Sequence, residues 1–219
     1  MPIRPAFLDL IASRRSQLRK ELSVLLPSPV AITWEIGCGH GHFLTAYASV
    51  ISRRFHVGID LRLERIIKAR RKGERAGLAN CHFVRCEARE FLNGLPPHVT
   101  FSEIWVLFPD PWPKVRHHKN RLLQPKFFEA VAGRTEEGTP LYFRTDHVGY
   151  FREVYTFLAS LTTWRLASTA VWPLEWPTVF QSRAPSYHSL VALRTAHPAK
   201  PTVIVAPGLP APEKPTLPA

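Results

Sequence analysis

Residues 108 to 114 read Phe108-Pro-Asp-Pro-Trp-Pro-Lys114, and the basic run Arg116, His117, His118, Lys119, Arg121 follows directly. Asp110 thus stands between two prolines beside a cationic surface. That combination suits chemistry on nucleic acid, in which cations hold phosphates and an acid addresses a base. Each proline fixes its own φ and biases the residue before it towards extended geometry, so the backbone around Asp110 is expected to be stiff before a ligand arrives. A turn that only ends a strand is the plainer reading of any single proline. Three prolines alternating with Asp110, Trp112 and Lys114 favour a positioned group, with Trp112 packing the loop onto what lies beneath it.

A second segment, Ile32-Thr-Trp-Glu35-Ile-Gly37-Cys-Gly39-His-Gly41, closes an apolar run in alternating glycines and enters a helical pattern. Glycine allows the backbone turns and close ligand approach that a cofactor lying across such a loop requires. The dinucleotide fingerprint spaces its glycines as G-x-G-x-x-G. Here the order is Glu-x-Gly-x-Gly-x-Gly, which argues against NAD and resembles motif I of S-adenosylmethionine-dependent methyltransferases. The next apolar run, Phe55 to Asp60, also closes on an acid. Asp60 can accept the two hydroxyls of a ribose, or it can cap the helix that follows; the glycine loop favours the ribose. Glu87, after the run Cys81 to Arg85, has two readings as well: contact with an adenine ring, or an acid in the first turn of a helix.

Both segments must sit at the ends of strands. Apolar runs at 31–36, 55–60, 81–85, 102–108, 139–144, 163–169 and 187–194 alternate with helical patterns near 41–52, 62–76, 88–94, 123–134 and 147–160. Such alternation means a mostly parallel sheet covered by helices, an α/β fold whose ligands bind outside the strands' carboxyl ends. No helical pattern separates the last two runs, which implies an antiparallel hairpin at one edge of a seven-stranded sheet. Residues 1–30 form a basic amphipathic helix, with Phe7, Leu10, Ile11, Leu18, Leu22 and Leu25 against Arg14, Arg15, Arg19 and Lys20. The enzyme-like domain is expected over 31–195. Residues 196–219 hold seven of the chain's 21 prolines and are expected to be a disordered tail, within which 202–206 could pair with a sheet edge.

The chain has 219 residues, 45% of them hydrophobic, enough for one substantial core. Lys and Arg total 29 against 17 acids, and the net charge of +12 favours a polyanionic partner. No run approaches the roughly 20 apolar residues of a membrane span, and Met1-Pro-Ile-Arg-Pro lacks the apolar region of a signal peptide. Cys38, Cys81 and Cys86 are odd in number and lack zinc-type spacing, so a reduced, cytoplasmic protein without a metal is expected. Nothing in the sequence chooses between a monomer and a homodimer.

Two later segments complete the pattern. The run Leu141 to Arg144 ends in Thr145-Asp146-His147, which puts a second carboxylate at the sheet edge of Asp110, either for substrate or as a helix cap. Pro177-Thr178-Val-Phe-Gln181-Ser-Arg183 precedes the final strand. Together with Glu35 to Gly41, Phe108 to Lys119 and Thr145-Asp146, this segment resembles the bacterial tRNA (guanine-N7)-methyltransferases over roughly residues 31 to 195. The resemblance implies a Rossmann-like class I fold, S-adenosylmethionine as cofactor and tRNA as partner, with 7-methylguanosine formed in the variable loop. It implies that Glu35, Asp60, Glu87 and Asp110 contact the cofactor or its neighbourhood, alongside Gly37, Gly39 and Gly41 of the loop. It further implies that Asp110 is the catalytic acid position and that Lys114, Asp146 and Thr178 contact guanosine. Gln181 stands where the family has glutamate, which keeps hydrogen bonding and removes a charge.

Guanine N7 carries an in-plane lone pair and no proton, so methylation there needs neither an obligatory base nor a covalent nucleophile. Asp110 or Asp146 could steady the positive charge that develops on the ring, while Lys114, Arg116, His117 and the run to Arg121 neutralise phosphates. Cytosine-carbon methylation, by contrast, uses a cysteine nucleophile, and no Pro-Cys or Thr-Cys pair occurs. The rival from another class is an RNA-binding protein that keeps the fold without turnover, a reading that Gln181 suggests.

Overall fold

Val30–Ile36 (β1) and Val99–Leu107 (β4) carry apolar side chains on both faces, the mark of strands covered on two sides. In the computed structural model, which describes residues 5–178, 180–199, 202–205 and 207–211, they pair in parallel at the centre of the sheet. Phe55–Asp60 (β2) and Cys81–Arg85 (β3) extend the sheet on one side, and Pro140–Thr145 (β5) extends it on the other. With β6 at Trp164–Leu166 and β7 at His188–Arg194, the order is β3-β2-β1-β4-β5-β7-β6. Chain progression reverses between β1 and β4, and the crevice at that switch point opens at the carboxyl ends, beside Gly37 and Phe108.

His188–Arg194 (β7) enters between β5 and Trp164–Leu166 (β6) and runs antiparallel to both. The antiparallel edge therefore has the last strand inside and β6 outermost. β6 is shorter than the expected 163–169, because beyond Leu166 only the Ala167 amide reaches β7, at Val191 O, before the chain leaves the sheet. β4 starts earlier than expected, pairing Val99 with Val30, and stops at Leu107 where Phe108 takes a φ of 49°.

Helices cover the faces unequally. Pro5–Leu25 (α1), Ala88–Gly94 (α4), Pro125–Ala132 (α5) and Val148–Ser160 (α6) enclose the main core, in which Trp34 stacks between Phe91 and Phe101 at 5.1 and 4.7 Å. α1 buries Ile11 and Leu22 and pairs Arg15 with Glu90, whereas Phe7 and Leu10 on the same expected apolar face are exposed. His42–Val50 (α2) and Leu63–Arg75 (α3) cover the other face over β1 to β3. On that face α2 reaches β4, where Phe43 and Tyr47 meet Trp105 at 4.6 and 5.2 Å, but among the described residues it has no helix over β5 and β7. The long connection 167–187 covers it instead, with Trp172 and Leu174 packed on Trp105 and Tyr142. A connection of that length without its own helix or strand is usually a functional loop.

Within the tail expected to be disordered, Ile204 is only 4% exposed and joins the main core, Asn93 donates to its carbonyl, and Arg15 donates to the carbonyl of Pro210. Residues 202–205 are not in a strand, and the pairing considered for Ala206 lies outside the described residues. No helix among the described residues is long and apolar enough to cross a membrane.

Candidate active site

The glycine loop is built by left-handed backbone. Gly37, Gly39 and Gly41 have φ values of 75°, 55° and 69°, where a side chain would strain the chain. Their other constraints differ. A Cβ on Gly41 would lie 2.8 Å from Ala69 Cβ and from the Phe83 ring, so Gly41 lets α2 and α3 close on the sheet. Nothing lies within 4 Å of a Cβ on Gly37 or Gly39, because both border a cleft of about 220 Å³. Gly37 and Cys38 donate to Ile59 O at 2.9 Å, which ties the loop to β2.

Glu35, pointing from β1 into the cleft wall, is 2% exposed. Burial pushes its pKa from the ordinary 4.5 up to about 8, opposed by a hydrogen bond from the Leu44 backbone and reinforced by Asp60. Its Oε2 has no hydrogen-bond partner among the described residues. A buried carboxylate oxygen without a partner costs stability unless a donor or a cation arrives. Asp60, the acid closing β2, is engaged on both oxygens: Oδ1 accepts from Arg62 N at 2.8 Å, and Oδ2 accepts from Gly39 N at 3.1 Å and Arg65 Nη1 at 3.3 Å. It joins the glycine loop to Arg62, the N-cap residue before α3, and takes up none of the amides that open the helix, so its place is beside the cofactor loop. Glu87 is a helix cap here, accepting from Arg89 N and Glu90 N and paired with the Arg89 guanidinium.

The cleft's far wall comes from the connection 167–187. Thr178, Phe180 and Arg183 face Glu35, Gly37 and Gly39 across it, with His40, His42 and Arg65 at the rim. Thr178 opens a turn by accepting Gln181 N on its hydroxyl at 3.0 Å. Arg65 lies 6.0 Å from the Phe180 ring. Of the residues singled out in the sequence, Glu35, Gly37, Gly39 and Thr178 line this one cavity. S-adenosylmethionine fits what they offer: a buried acid with an open oxygen for a cationic group, and glycines with empty space before them.

The model of the family described as "Putative methyltransferase" matches residues 29–187. The chain belongs to this methyltransferase family. Among curated proteins, a tRNA (guanine-N(7)-)-methyltransferase of Nocardia farcinica is 37% identical over 55% of this chain and 45% of its own length. One from Thermus thermophilus is 36% identical over 54% of this chain and 38% of its own. The chain thus spans about half the length of the curated relatives it matches, or less. In fold, an rRNA methylase from Streptococcus thermophilus superposes with a TM-score of 0.52 at 14% identity, covering 89% of this chain and 99% of that one. The mixed seven-stranded sheet is the Rossmann-like class I fold of S-adenosylmethionine-dependent methyltransferases.

The Asp110 loop is strained. Phe108 and Trp112, both followed by proline, have φ values of 49° and 44° and not the extended backbone expected of them. They are the only non-glycine residues with positive φ among those described, and they bracket Asp110. Such conformations cost about 1–3 kcal/mol each and persist where surrounding contacts impose them. The Phe108 amide donates to Arg144 O at 2.8 Å and its ring meets Tyr187 edge-on at 6.0 Å. Trp112 meets the ring of His117 at 5.9 Å and is 37% exposed, so it packs within its own loop and not onto the sheet. Asp110, Lys114 and Arg116 are exposed and His117 is half-buried; none of the four lines the cleft.

Arg121 corrects the sequence reading of the basic run. It is 2% exposed and unable to meet a phosphate. Its Nε donates to Pro111 O at 2.7 Å, its Nη1 pairs with Glu153, and its guanidinium lies 4.9 Å from the Tyr150 ring. It pins the strained loop to α6. Asp146 is exposed, and the cap of α6 is His147, whose Nδ1 accepts from Tyr150 N. Asp146 is thereby left for other partners.

Sequence reasoning missed Arg144 and Glu175. Arg144, 3% exposed, holds the Glu175 carboxylate through both terminal nitrogens at 2.8 and 2.7 Å, donates to Ser189 Oγ, and lies 4.0 and 4.6 Å from the Trp172 and Tyr187 rings. The hydrogen bonds and charge of Arg144, with a smaller contribution from a Gln181 hydrogen bond, hold the Glu175 pKa below the usual carboxylate range, and Gln181 also donates to Tyr187 Oη. One arginine thus fastens the wall carrying Thr178 and Gln181 to β5. Its partners lie 31 and 45 residues away, a relation no spacing reveals. Cys38 lines the cleft between Gly37 and Gly39 as a thiol: burial raises it and Cys86 well above the ordinary thiol range and pushes Cys81 up to about 12.

Proposed function

We propose that this methyltransferase transfers a methyl group from S-adenosylmethionine to N7 of a guanosine in the variable loop of tRNA. One observation carries the reading: the glycine-loop residues Glu35, Gly37 and Gly39 and the late-motif residues Thr178, Phe180 and Arg183 line the same cleft. Methyl transfer needs donor and acceptor in one cavity. The printed names of the relatives, the net charge of +12 and the exposed Asp110-to-Lys119 segment support tRNA as the acceptor.

When bound, S-adenosylmethionine supplies an electrophilic methyl on a sulfonium. Glu35 would hold a cationic group of that ligand, and Gly37 and Gly39 would let its body approach the backbone. Asp60 would accept ribose hydroxyls by releasing its long contact to Arg65. Glu87 would serve as a neighbour through the turn it caps. On the acceptor side, Thr178, Gln181, Asp146 and Lys114 would orient the guanosine, and Arg116 and His117 would hold adjacent phosphates. Because N7 has no proton to lose, the protein's contribution is placement; holding reacting atoms about 3–3.5 Å apart can lower a barrier by roughly 7–11 kcal/mol. Asp110, presented by a backbone already held in place, would face the positive charge developing on the base. The reading carries a cytoplasmic location, where tRNA is modified and thiols stay reduced.

Methyl transfer from labelled S-adenosylmethionine to unmodified tRNA, followed by nucleoside mass spectrometry, tests it. The expected product is 7-methylguanosine, absent from a transcript lacking the variable-loop guanosine. A different methylated nucleoside overturns the substrate assignment. Binding of cofactor and tRNA without transfer replaces the reading with the non-catalytic RNA binder.

A further inference from the structure

Helix α3 leaves the cleft rim carrying more cations than its ion pairs take up. It buries Ile66, Ala69 and Gly73 against the sheet. On its outer side Arg65, Lys68 and Lys72 follow one another at helical spacing, and Arg71 and Arg75 form the row beside them. Arg65 is paired with Asp60. Among the described residues, Lys68, Arg71, Lys72 and Arg75 are in no ion pair, although Glu64 and Glu74 belong to the same helix. Lys68 and Lys72, and likewise Arg71 and Arg75, are like charges four residues apart, an arrangement that destabilises a helix. The field is felt at the cleft: the pKa of His40 is lowered by burial and then by Lys68, Arg65 and Lys72, and Lys72 donates to His42 Nδ1 at 2.7 Å.

We propose that this face of α3, continued through His40, His42 and Arg183 at the cleft rim, is a second docking surface for the phosphates of the substrate RNA. It is separate from the Arg116-to-Lys119 segment, which follows β4 on the other side of β1. The proposal rests on the tRNA reading for the identity of the polyanion. From Arg65 to Arg75 the row is about 15 Å long at 1.5 Å per residue, enough to follow several consecutive phosphates. Its chemistry is that of backbone contacts, which position a nucleic acid without reading its sequence. Exposed Leu63 and Ile67 precede Arg71 and Arg75 in the same four-residue row, nearer the start of the helix, so the vesicle arm of the test separates an RNA surface from a lipid surface.

The test compares the triple variant Lys68→Ala, Arg71→Ala, Arg75→Ala with a control triple variant Lys126→Ala, Arg152→Ala, Arg165→Ala, which removes the same charge from exposed positions on α5, α6 and β6. Binding of unmodified tRNA is titrated from low to high salt, together with S-adenosylmethionine affinity and methyl transfer. The α3 variant is expected to bind tRNA on the order of tenfold more weakly at low salt, with the slope of log Kd against log salt reduced by about 2 to 3. Its cofactor affinity and the control variant's slope are expected to stay at the wild-type values. An unchanged slope in the α3 variant overturns the proposal, as does an equal loss in the control, which would mean bulk charge alone. So does retained tRNA binding accompanied by lost binding to phosphatidylserine vesicles. A wild-type protein whose tRNA binding depends on α3 but which transfers no methyl refutes the methylation reading and leaves the surface standing; unchanged tRNA KM in the α3 variant does the reverse.

Discussion

Replacing Glu35 by glutamine should make this protein more stable, by an amount that grows with pH. In the unfolded chain residue 35 titrates at the ordinary glutamate value of 4.5, whereas in the fold burial moves it to about 8. A carboxylate raised in the folded state binds its proton more tightly there, so stability is greatest below pH 4.5, falls as pH rises, and levels off above about 8. At about 1.4 kcal/mol per pH unit across that interval, the stability Glu35 takes away relative to low pH is about 3 kcal/mol at pH 7, where the folded group still holds its proton, and on the order of 5 kcal/mol at pH 9, where it is ionised. Glutamine has the same shape, keeps an acceptor for the Leu44 amide and does not titrate. Urea unfolding of the two proteins should therefore give similar stabilities near pH 4.5 and a widening gap in favour of Glu35→Gln at pH 7 and 9. A gap that stays constant with pH would refute the assignment of the burden to this carboxylate. The cost also explains its presence: a cationic ligand in the cleft would hold the group ionised. Calorimetry at pH 7 in two buffers of different ionisation enthalpy should then show close to one proton released on S-adenosylmethionine binding to wild type and none to Glu35→Gln.

Gly39→Ala and Gly41→Ala should separate site from fold. Both carry the left-handed backbone cost of about 1–2 kcal/mol, but Gly41→Ala adds a clash at 2.8 Å with Ala69 and Phe83, so thermal unfolding should show a much larger loss there, while Gly39→Ala should lose cofactor affinity in a fold that still melts cooperatively. Arg121→Met should release the Asp110 loop from Pro111 O and leave Glu153 without its partner, lowering stability by about 3–5 kcal/mol if the pair behaves as a buried one and less in proportion to the exposure of Glu153; single-turnover methyl transfer should slow with tRNA affinity little changed. Arg144→Gln should loosen the connection 167–187, seen as faster limited proteolysis within it and a higher KM for tRNA, while cooperative melting persists because Trp172 and Leu174 still cover Trp105 and Tyr142.

The strands of this fold were readable because parallel strands buried on both faces must be nearly continuous apolar runs, and β1, β2 and β4 are. The edge resisted for the same reason in reverse. Residues 163–169 carry strand-like side chains, yet β6 is the outermost strand with a neighbour on one side only, and its pairing with β7 lasts for three residues. Nor does a proline-rich composition reveal that one apolar side chain, Ile204, finds a place in the core; composition bounds how much surface a segment can bury and leaves open which residue does it.

In the site, what sequence conveys is residue type at a strand end, and what it hides is burial and distant partners. Glu35, Gly37, Gly39 and Thr178 could be named because the loop and the late motif are contiguous patterns. In the sequence Arg121 reads as one of the surface cations, because a charge run looks the same whether its last member faces water or the core, and only its contacts with Pro111, Glu153 and Tyr150 separate it. Neither Asp60 nor Asp146 caps the helix that follows it, for different reasons. Asp60 meets Arg62 N and Gly39 N together, so a single carboxylate ties the N-cap residue of α3 to the glycine loop, whereas His147 takes over the cap of α6 and leaves Asp146 exposed. The strain at Phe108 and Trp112 follows the same logic. Local preference, strongest before proline, favours extended backbone, and it is overruled by Arg144 O, Tyr187, His117 and Arg121, which arrive from elsewhere in the chain. Local rules fail where distant contacts hold the chain against them, and here that failure brackets Asp110.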